Sequence, residues 1–155
     1  MGLFSFIKDA GSKLFNSEPE KTEKSRELVD AENSSTLTRQ INNLKLSVEN
    51  LKIVIEGDRA VVTGNVEDQA TKEKIILIVG NNYGIAEVDD QMEVVNPEPE
   101  AKFYTVKKGD YLSKIAKEVY GNASKYNVIF EANKPMLKDP DLIYPGQVLR
   151  IPNLD

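Results

Sequence analysis

The segment Asn96-Pro97-Glu98-Pro99-Glu100-Ala101 constrains this chain more than any other feature of the sequence. Two prolines and two acids in six residues predict an extended, solvated linker, because proline interrupts helices and strands and the charges favour water. The charge balance also changes there: residues 1–96 carry 11 Lys/Arg and 17 Asp/Glu, whereas residues 97–155 carry 9 and 8. We therefore expect two small folded units in the 155 residues.

Before this linker, hydrophobic periodicity predicts a small unit of helices and strands. Leu37, Ile41 and Leu44 form a helical stripe, with Ser34 or Ser35 as N-cap. Two strands, 51–56 and 59–63, then flank a tight turn at Gly57-Asp58. The pattern favours an α+β fold in the order helix-strand-strand-helix-strand, with both helices on one side of a three-stranded sheet.

The second helix of this unit follows the hairpin, and the last strand covers 86–95. Asp68 is placed to cap the helix and Gly80 to end it. We expect Glu73 and Lys74 to stay in water while the apolar positions face inward, namely Ile75, Ile76, Ile78 and Val79.

After the linker, the pattern predicts a strand-helix-helix-strand unit of about 50 residues. The strands are 103–106 and 148–151, and the helices run from Leu112 to near Gly121 and over 122–133. Asp110 is expected to cap the first helix, and Tyr126, Ile129 and Phe130 to be buried.

The N-terminal segment, residues 2–15, has apolar residues at helical spacing. Leu3, Ile7, Ala10 and Leu14 predict a short helix docked on its own domain. A membrane-surface helix is the alternative, but such helices need a strongly cationic face, and here Lys8 and Lys13 supply a weak one.

Composition excludes much familiar chemistry. The sequence contains neither cysteine nor histidine, which removes disulfides, zinc fingers, cysteine nucleophiles and imidazole-based triads. A net charge of −5 argues against nucleic-acid partners, since phosphate binding needs clustered cations. No apolar run approaches the roughly 18 residues of a membrane span, and the N-terminus lacks the features of a secretory signal, so we expect a cytoplasmic protein without an integral membrane segment.

Particular residues carry a resemblance to known domains. The second unit resembles a LysM domain in Tyr104-Thr105-Val106, Lys108-Gly109-Asp110, Tyr120-Gly121, Asn133 and the block from Ile143 to Pro152. The first unit resembles a BON domain in Val61-Val62-Thr63-Gly64 and Gly84-Ile85-Ala86-Glu87-Val88. With the Met-Gly-Leu-Phe start, this pairing resembles the family of bacterial cytoplasmic potassium-binding proteins.

The resemblance implies a domain layout: an N-terminal helical segment at 1–15, a BON-like domain at 24–95, a linker at 96–101 and a LysM domain at 102–153. It also implies a non-enzymatic K⁺ sensor or buffer, monomeric, with a role in bacterial stress response. We expect its conformation or stability to change with K⁺, and its site to accept Rb⁺ or Cs⁺ as well.

The loop at 80–85 is the candidate ion site. It follows a helix end, where the last carbonyls lack intrahelical partners, and its glycines and asparagines allow unusual backbone conformations. From the residues alone, an ordinary helix C-cap is the better explanation of the loop. The resemblance adds the ion, with the backbone carbonyls of five residues as ligands: Ile7, Ala10, Gly80, Asn82 and Ile85. With backbone oxygens as ligands, we expect Asn82→Ala to change binding little and Gly80→Val to strain the loop.

Two other functions stay open. LysM domains bind N-acetylglucosamine-containing glycans, and the corresponding groove residues are Gly109, Asp110, Tyr111, Ile143, Tyr144 and Pro145. A membrane-peripheral BON stress protein is the other alternative. The acidic pair Asp89-Asp90 is expected to be a solvated surface, because neighbouring strand positions face opposite ways.

Overall fold

The computed structural model describes residues 2–6, 23–82 and 85–153, with the side chains of the first helix described from residue 31 onward. The elements, in chain order, are β1 (Gly2–Ser5), α1 (Glu23–Asn43), β2 (Val48–Glu56), β3 (Arg59–Asp68), α2 (Gln69–Gly80), β4 (Glu87–Asn96), β5 (Lys102–Thr105), α3 (Leu112–Tyr120), a 3-10 turn (Ala123–Lys125), α4 (Tyr126–Ala132) and β6 (Val148–Ile151). We call β1 to β4 with α1 and α2 the N-terminal unit, and the remainder from β5 the C-terminal unit.

The N-terminal unit is a sheet with strand order β1-β4-β3-β2, covered by two helices. Strands β2 and β3 form the predicted hairpin, in which Glu56 pairs with Arg59 across a two-residue turn. Gly57 has φ +66 in this turn, a left-handed conformation that glycine adopts without strain. Helix α2 then crosses over to β4, which runs parallel to β3. Asp68 caps α2 as predicted, with its Oδ1 accepting from the Thr71 N–H at 2.8 Å.

Two predictions about the helices and strands of this unit are wrong. Residues 2–5 form a strand rather than a helix, and they add a fourth strand to the predicted three. Residues 7–15 lie outside the described residues. Helix α1 begins at Glu23, so Ser34 and Ser35 lie inside the helix rather than at its N-cap. The Ser34 hydroxyl instead accepts from the Ile55 N–H of β2 at 2.9 Å, which joins helix to sheet.

The C-terminal unit has the predicted order of strands and helices. Strands β5 and β6 pair antiparallel, and α3 and α4 cover them. Helix α3 has Tyr111 rather than Asp110 at its N-cap position, without a side-chain capping bond. The second predicted helix divides into the 3-10 turn and α4, and Tyr126 at the start of α4 is 36% exposed rather than buried.

The hydrophobic cores of the two units meet. Val148 of β6 belongs to the core of the N-terminal unit, and Phe103 of β5 packs against that core. Met136 packs against both cores. The two units therefore dock on each other, although the composition of the linker between them would permit independent motion.

Candidate functional site

The C-terminal end of helix α2 is closed by the side chain of Asn82. Its Nδ2 donates to the carbonyls of Ile78 at 2.6 Å and Val79 at 3.2 Å, and the residue is 3% exposed. The Val79 carbonyl also accepts from the Asn82 backbone N–H at 3.3 Å. For the Ile78 carbonyl, the amide replaces the donor that a longer helix would provide. The Asn82 side chain therefore holds the helix end together, in addition to the backbone carbonyl that is predicted to bind the ion.

Phe6 covers the last residue of this helix. A Cβ added to Gly80 would lie 2.1 Å from the Phe6 ring, so any side chain at position 80 would displace the ring. Gly80 belongs to α2 and is not among the residues with positive φ. Its glycine is required by the close approach of Phe6, not by the unusual backbone conformation that the sequence suggested for the loop.

The N-terminal strand lies next to Ala86, the residue that directly follows the 80–85 loop. The Phe6 N–H donates to the Ala86 carbonyl at 2.8 Å, which continues the pairing of β1 with β4 by one residue. Ile7 and Ala10, two of the five predicted ligands, lie outside the described residues. The chain that leads to Ile7 is nevertheless anchored beside the 80–85 loop.

The other three predicted ligand residues are brought together. Gly80 ends α2, Asn82 is buried, and Ile85 is 1% exposed. The Ile85 N–H donates to the Asn82 carbonyl at 3.1 Å, so these two residues are in direct contact. Gly80, Asn82 and Ile85 carry no side-chain charge, and the C-terminal end of a helix has a partial negative charge. Uncharged oxygens and the negative end of a helix dipole, both favourable for a cation, therefore lie together at this loop.

Asn81, the C-cap residue of α2, joins this loop to the C-terminal unit. Its Nδ2 donates to the Val148 carbonyl at 2.9 Å, and its Oδ1 accepts from the Val148 N–H at 2.8 Å. The Tyr144 hydroxyl donates to the Asn81 carbonyl at 3.3 Å. Both the side chain and the backbone of Asn81 are therefore engaged by the C-terminal unit.

Comparisons with known proteins agree with this two-unit architecture. The BON domain model matches residues 30–96, and the LysM domain model matches residues 104–152. The Potassium binding protein Kbp of Escherichia coli is 48% identical over 152 residues, which cover 98% of this chain and 99% of that protein. The chain belongs to the Kbp family. An uncharacterized protein of Deinococcus radiodurans matches a shorter part of the chain. It is 55% identical over 49 residues, which cover 32% of this chain and 19% of that protein.

A buried ion pair also joins the two units of this Kbp relative. The Arg150 Nε of β6 lies 2.6 Å from Glu73 Oε1 of α2, and Glu73 Oε2 accepts from the Ala101 N–H at the end of the linker. Glu73 is 2% exposed, so the prediction that it stays in water is wrong. Its spacing of four residues from Gln69 and three from Ile76, both buried on α2, is the signal that would have found it.

The six predicted glycan-groove residues differ in exposure and in their contacts. The Asp110 carboxylate accepts from the Lys107 N–H and the Tyr104 hydroxyl, while Tyr111 is 58% exposed. Ile143 packs on the core of the C-terminal unit and Tyr144 contacts Asn81, whereas Gly109 and Pro145 are exposed.

Tyr144 also lines a cavity of about 390 Å³ between the two units. Asn81 and Asn82 contribute to the wall of the same cavity. Tyr144 therefore lies beside Asn81 and Asn82 at the end of α2.

Asp90 corrects the interpretation of the acidic pair. Asp89 lies on the outer face, where Arg59 pairs with it at 2.7 Å, but Asp90 is fully buried. The Lys72 Nζ lies 2.9 Å from Asp90 Oδ2. The alternation of strand faces was predicted correctly, yet the inner position holds a charge where an apolar residue is usual.

Proposed function

We propose that this chain binds K⁺ and responds to it by a change in stability or conformation. The observation that carries the proposal is the 48% identity, over 98% of the chain, to a protein named for potassium binding. The geometry of the 80–85 loop is compatible with this function, because it combines neutral oxygens, a helix C-terminus and the anchored N-terminal strand in one place.

The proposed ligands are the backbone carbonyls of Ile7, Ala10, Gly80, Asn82 and Ile85. Carbonyl oxygens suit a weakly hydrated monovalent cation, as in potassium-channel filters, whereas Ca²⁺ and Mg²⁺ favour sites that include carboxylates. Within the described residues, no group of three or more acidic side chains is placed to hold a metal ion. Rb⁺ and Cs⁺ are the alkali ions that we expect to compete with K⁺.

In the proposed mechanism, the ion bridges the N-terminal segment and the end of α2. Phe6 is already seated on Gly80, so the ion would add a second tie between the same two segments. A ligand that binds only the ordered state stabilises it by RT ln(1 + [L]/Kd). Since Asn81 belongs to the same loop and pairs with Val148, ordering the loop also favours the docked C-terminal unit.

We further propose a non-enzymatic, monomeric sensor or buffer that acts in the cytoplasm. In the part of the chain that the structure describes, no helix has the length and apolarity to cross a membrane. The buffer and sensor roles differ in whether the response to the ion is passed to a partner.

Thermal melts of the desalted protein in KCl, RbCl, CsCl and NaCl at matched ionic strength test the proposal. We expect a higher Tm in KCl than in NaCl. Equal shifts in both salts would reduce the effect to charge screening and contradict a selective site. Phe6→Ala is the variant of choice, since it removes the contact with Gly80 and leaves the proposed carbonyl ligands in the sequence; we expect it to weaken the preference for K⁺.

A further inference from the structure

The Asp90–Lys72 ion pair lies in an apolar layer of the N-terminal unit. Asp90 is on the same face of β4 as Val88 and Met92, which belong to the hydrophobic core. Its Oδ1 accepts from the Met92 N–H at 3.0 Å. Lys72 is 2.9 Å from Oδ2, an ion pair without hydrogen-bond alignment, and its side chain is 11% exposed.

Stability alone does not account for such a pair. Removing two charges from water costs free energy that their attraction often fails to recover, and apolar replacements of buried ion pairs are frequently neutral or stabilising. The best-attested benefit of a buried charge is specificity of register or partner. Asp90 lies on β4, which pairs with β1, so the register that it can affect is that of β1 against β4.

Asp90 lies opposite Gly2 in the pairing of β1 with β4. Residues that lie opposite each other in an antiparallel pair have their side chains on the same face. Because the residue opposite Asp90 is glycine, no side chain of β1 lies beside the ion pair at this position. In the same register Phe4 lies opposite Val88, and its ring is 5.3 Å from that of Phe103.

A slip of β1 by two residues toward the end of β4 would keep every side chain on its present face. Leu3 would then lie opposite Gln91, and Phe4 would lie opposite Asp90 instead of Val88. A phenyl ring would replace glycine beside the buried Asp90 carboxylate, which is unfavourable because the ring donates no hydrogen bond to that charge and its face is negative. Phe6 would move opposite Val88, away from its place on Gly80.

We propose that the Asp90–Lys72 ion pair fixes the register of β1 and thereby seats Phe6 on Gly80. Asp90 and Lys72 are positioning residues that act through β1. The consequence for ion binding rests on the proposed function, whereas the register itself does not depend on it.

Disulfide trapping tests the register directly, because the sequence contains no cysteine. Leu3→Cys is combined with Asp89→Cys for the observed register or with Gln91→Cys for the slipped one. In the otherwise native protein we expect the first pair to oxidise at least tenfold faster than the second. In the Asp90→Leu/Lys72→Met background we expect that preference to fall several-fold while Tm is unchanged or higher. An unchanged preference would overturn the proposal.

Arg59→Met is the matched control, since Arg59 pairs with Glu87 on the outer face of the same sheet and keeps this partner in both cysteine pairs. We expect it to leave the trapping preference intact; an equal loss there would show that any lost charge loosens β1 and would overturn the proposal. If the apolar double variant does not fold, Asp90→Asn/Lys72→Met takes its place, and a native trapping preference in that variant would equally overturn the assignment.

Thermal melts of the apolar double variant in KCl and in NaCl test whether the register affects ion binding. A reduced K⁺ preference without loss of Tm is expected, and a native preference would overturn the link between register and ion site. If the native protein itself shows no K⁺ preference, the proposed function fails, and the trapping rates still decide whether the ion pair fixes the register.

Discussion

The side-chain amide of Asn81 pairs with the backbone of Val148 through two hydrogen bonds of 2.8 and 2.9 Å, as a neighbouring strand would. Asn133, the C-cap of α4, makes the same two contacts with Arg150, at 2.7 and 2.9 Å. Alternate residues of β6 are thus bound by the ends of two helices, one from each unit. The edge that β6 turns away from β5 is closed by asparagines rather than by another strand.

This arrangement predicts different effects for two chemically identical substitutions. Asn81→Ala leaves the buried N–H and carbonyl of Val148 without their partners, which costs about 1–3 kcal/mol for each unpaired buried group. We expect a lower urea midpoint together with a larger radius of gyration in small-angle scattering, since the units separate. Asn133→Ala should lower the midpoint without enlarging the molecule, because Asn133 and Arg150 belong to the same unit. Equal radii for both variants would contradict a docking role for Asn81.

The contact between Phe6 and Gly80 predicts a strongly non-additive pair of substitutions. Gly80→Ala alone places a Cβ inside the Phe6 ring and should cost about 1–3 kcal/mol or more through overpacking. In a Phe6→Ala background, the same substitution should be neutral or stabilising by up to about 1 kcal/mol, because alanine favours helix. Urea denaturation of the four proteins gives the coupling. Additive effects would mean that the ring does not lie on Gly80.

The ion pair between Glu73 and Arg150 predicts a rescue. Arg150→Met leaves the buried Glu73 carboxylate without a cationic partner, and breaking a buried ion pair in this way costs about 3–5 kcal/mol. Adding Glu73→Gln removes the charge and keeps an acceptor for the Ala101 N–H, so most of the loss should be recovered. Chemical denaturation at neutral pH measures both variants. If the double variant is no more stable than Arg150→Met, the loss of stability does not come from the buried Glu73 charge.

Asp110 predicts an acid dependence of stability. Burial by itself would raise the pKa of Asp110, but hydrogen bonds from the Lys107 N–H, the Tyr104 hydroxyl and Lys114 outweigh it and hold the pKa below its usual value. A depressed folded-state pKa contributes stability above the unfolded-state pKa of about 3.9, and this contribution is lost as the pH falls through the folded value. Asp110→Asn should therefore be less stable than the native protein at pH 7, and the difference should shrink below about pH 4. Urea midpoints at pH 7 and pH 3 measure this, and a constant difference would contradict it.

The sequence predicted the elements whose signals are local. Apolar spacing located α2 and α3, Gly57-Asp58 located the hairpin turn, and Asp68 was correctly identified as a cap, because each depends on residues within one or two turns of the chain. The motifs of the two units indicated the family, and the family in turn led to the hypothesis of an ion site at the 80–85 loop.

Long-range contacts decided the rest. Residues 2–15 have apolar spacing typical of a helix, yet residues 2–5 pair with the edge of β4, which supplies backbone partners that a short isolated helix lacks. Glu73 and Asp90 look like surface acids in the sequence, and the cations that allow their burial, Arg150 and Lys72, lie 77 and 18 positions away along the chain.

The docking of the two units is likewise a tertiary result. The linker alone favours independent domains, whereas the pairing of Asn81 with Val148 across 67 positions holds them together. Local periodicity reports which residues need burial, and only the assembled fold supplies the partner for each buried polar group.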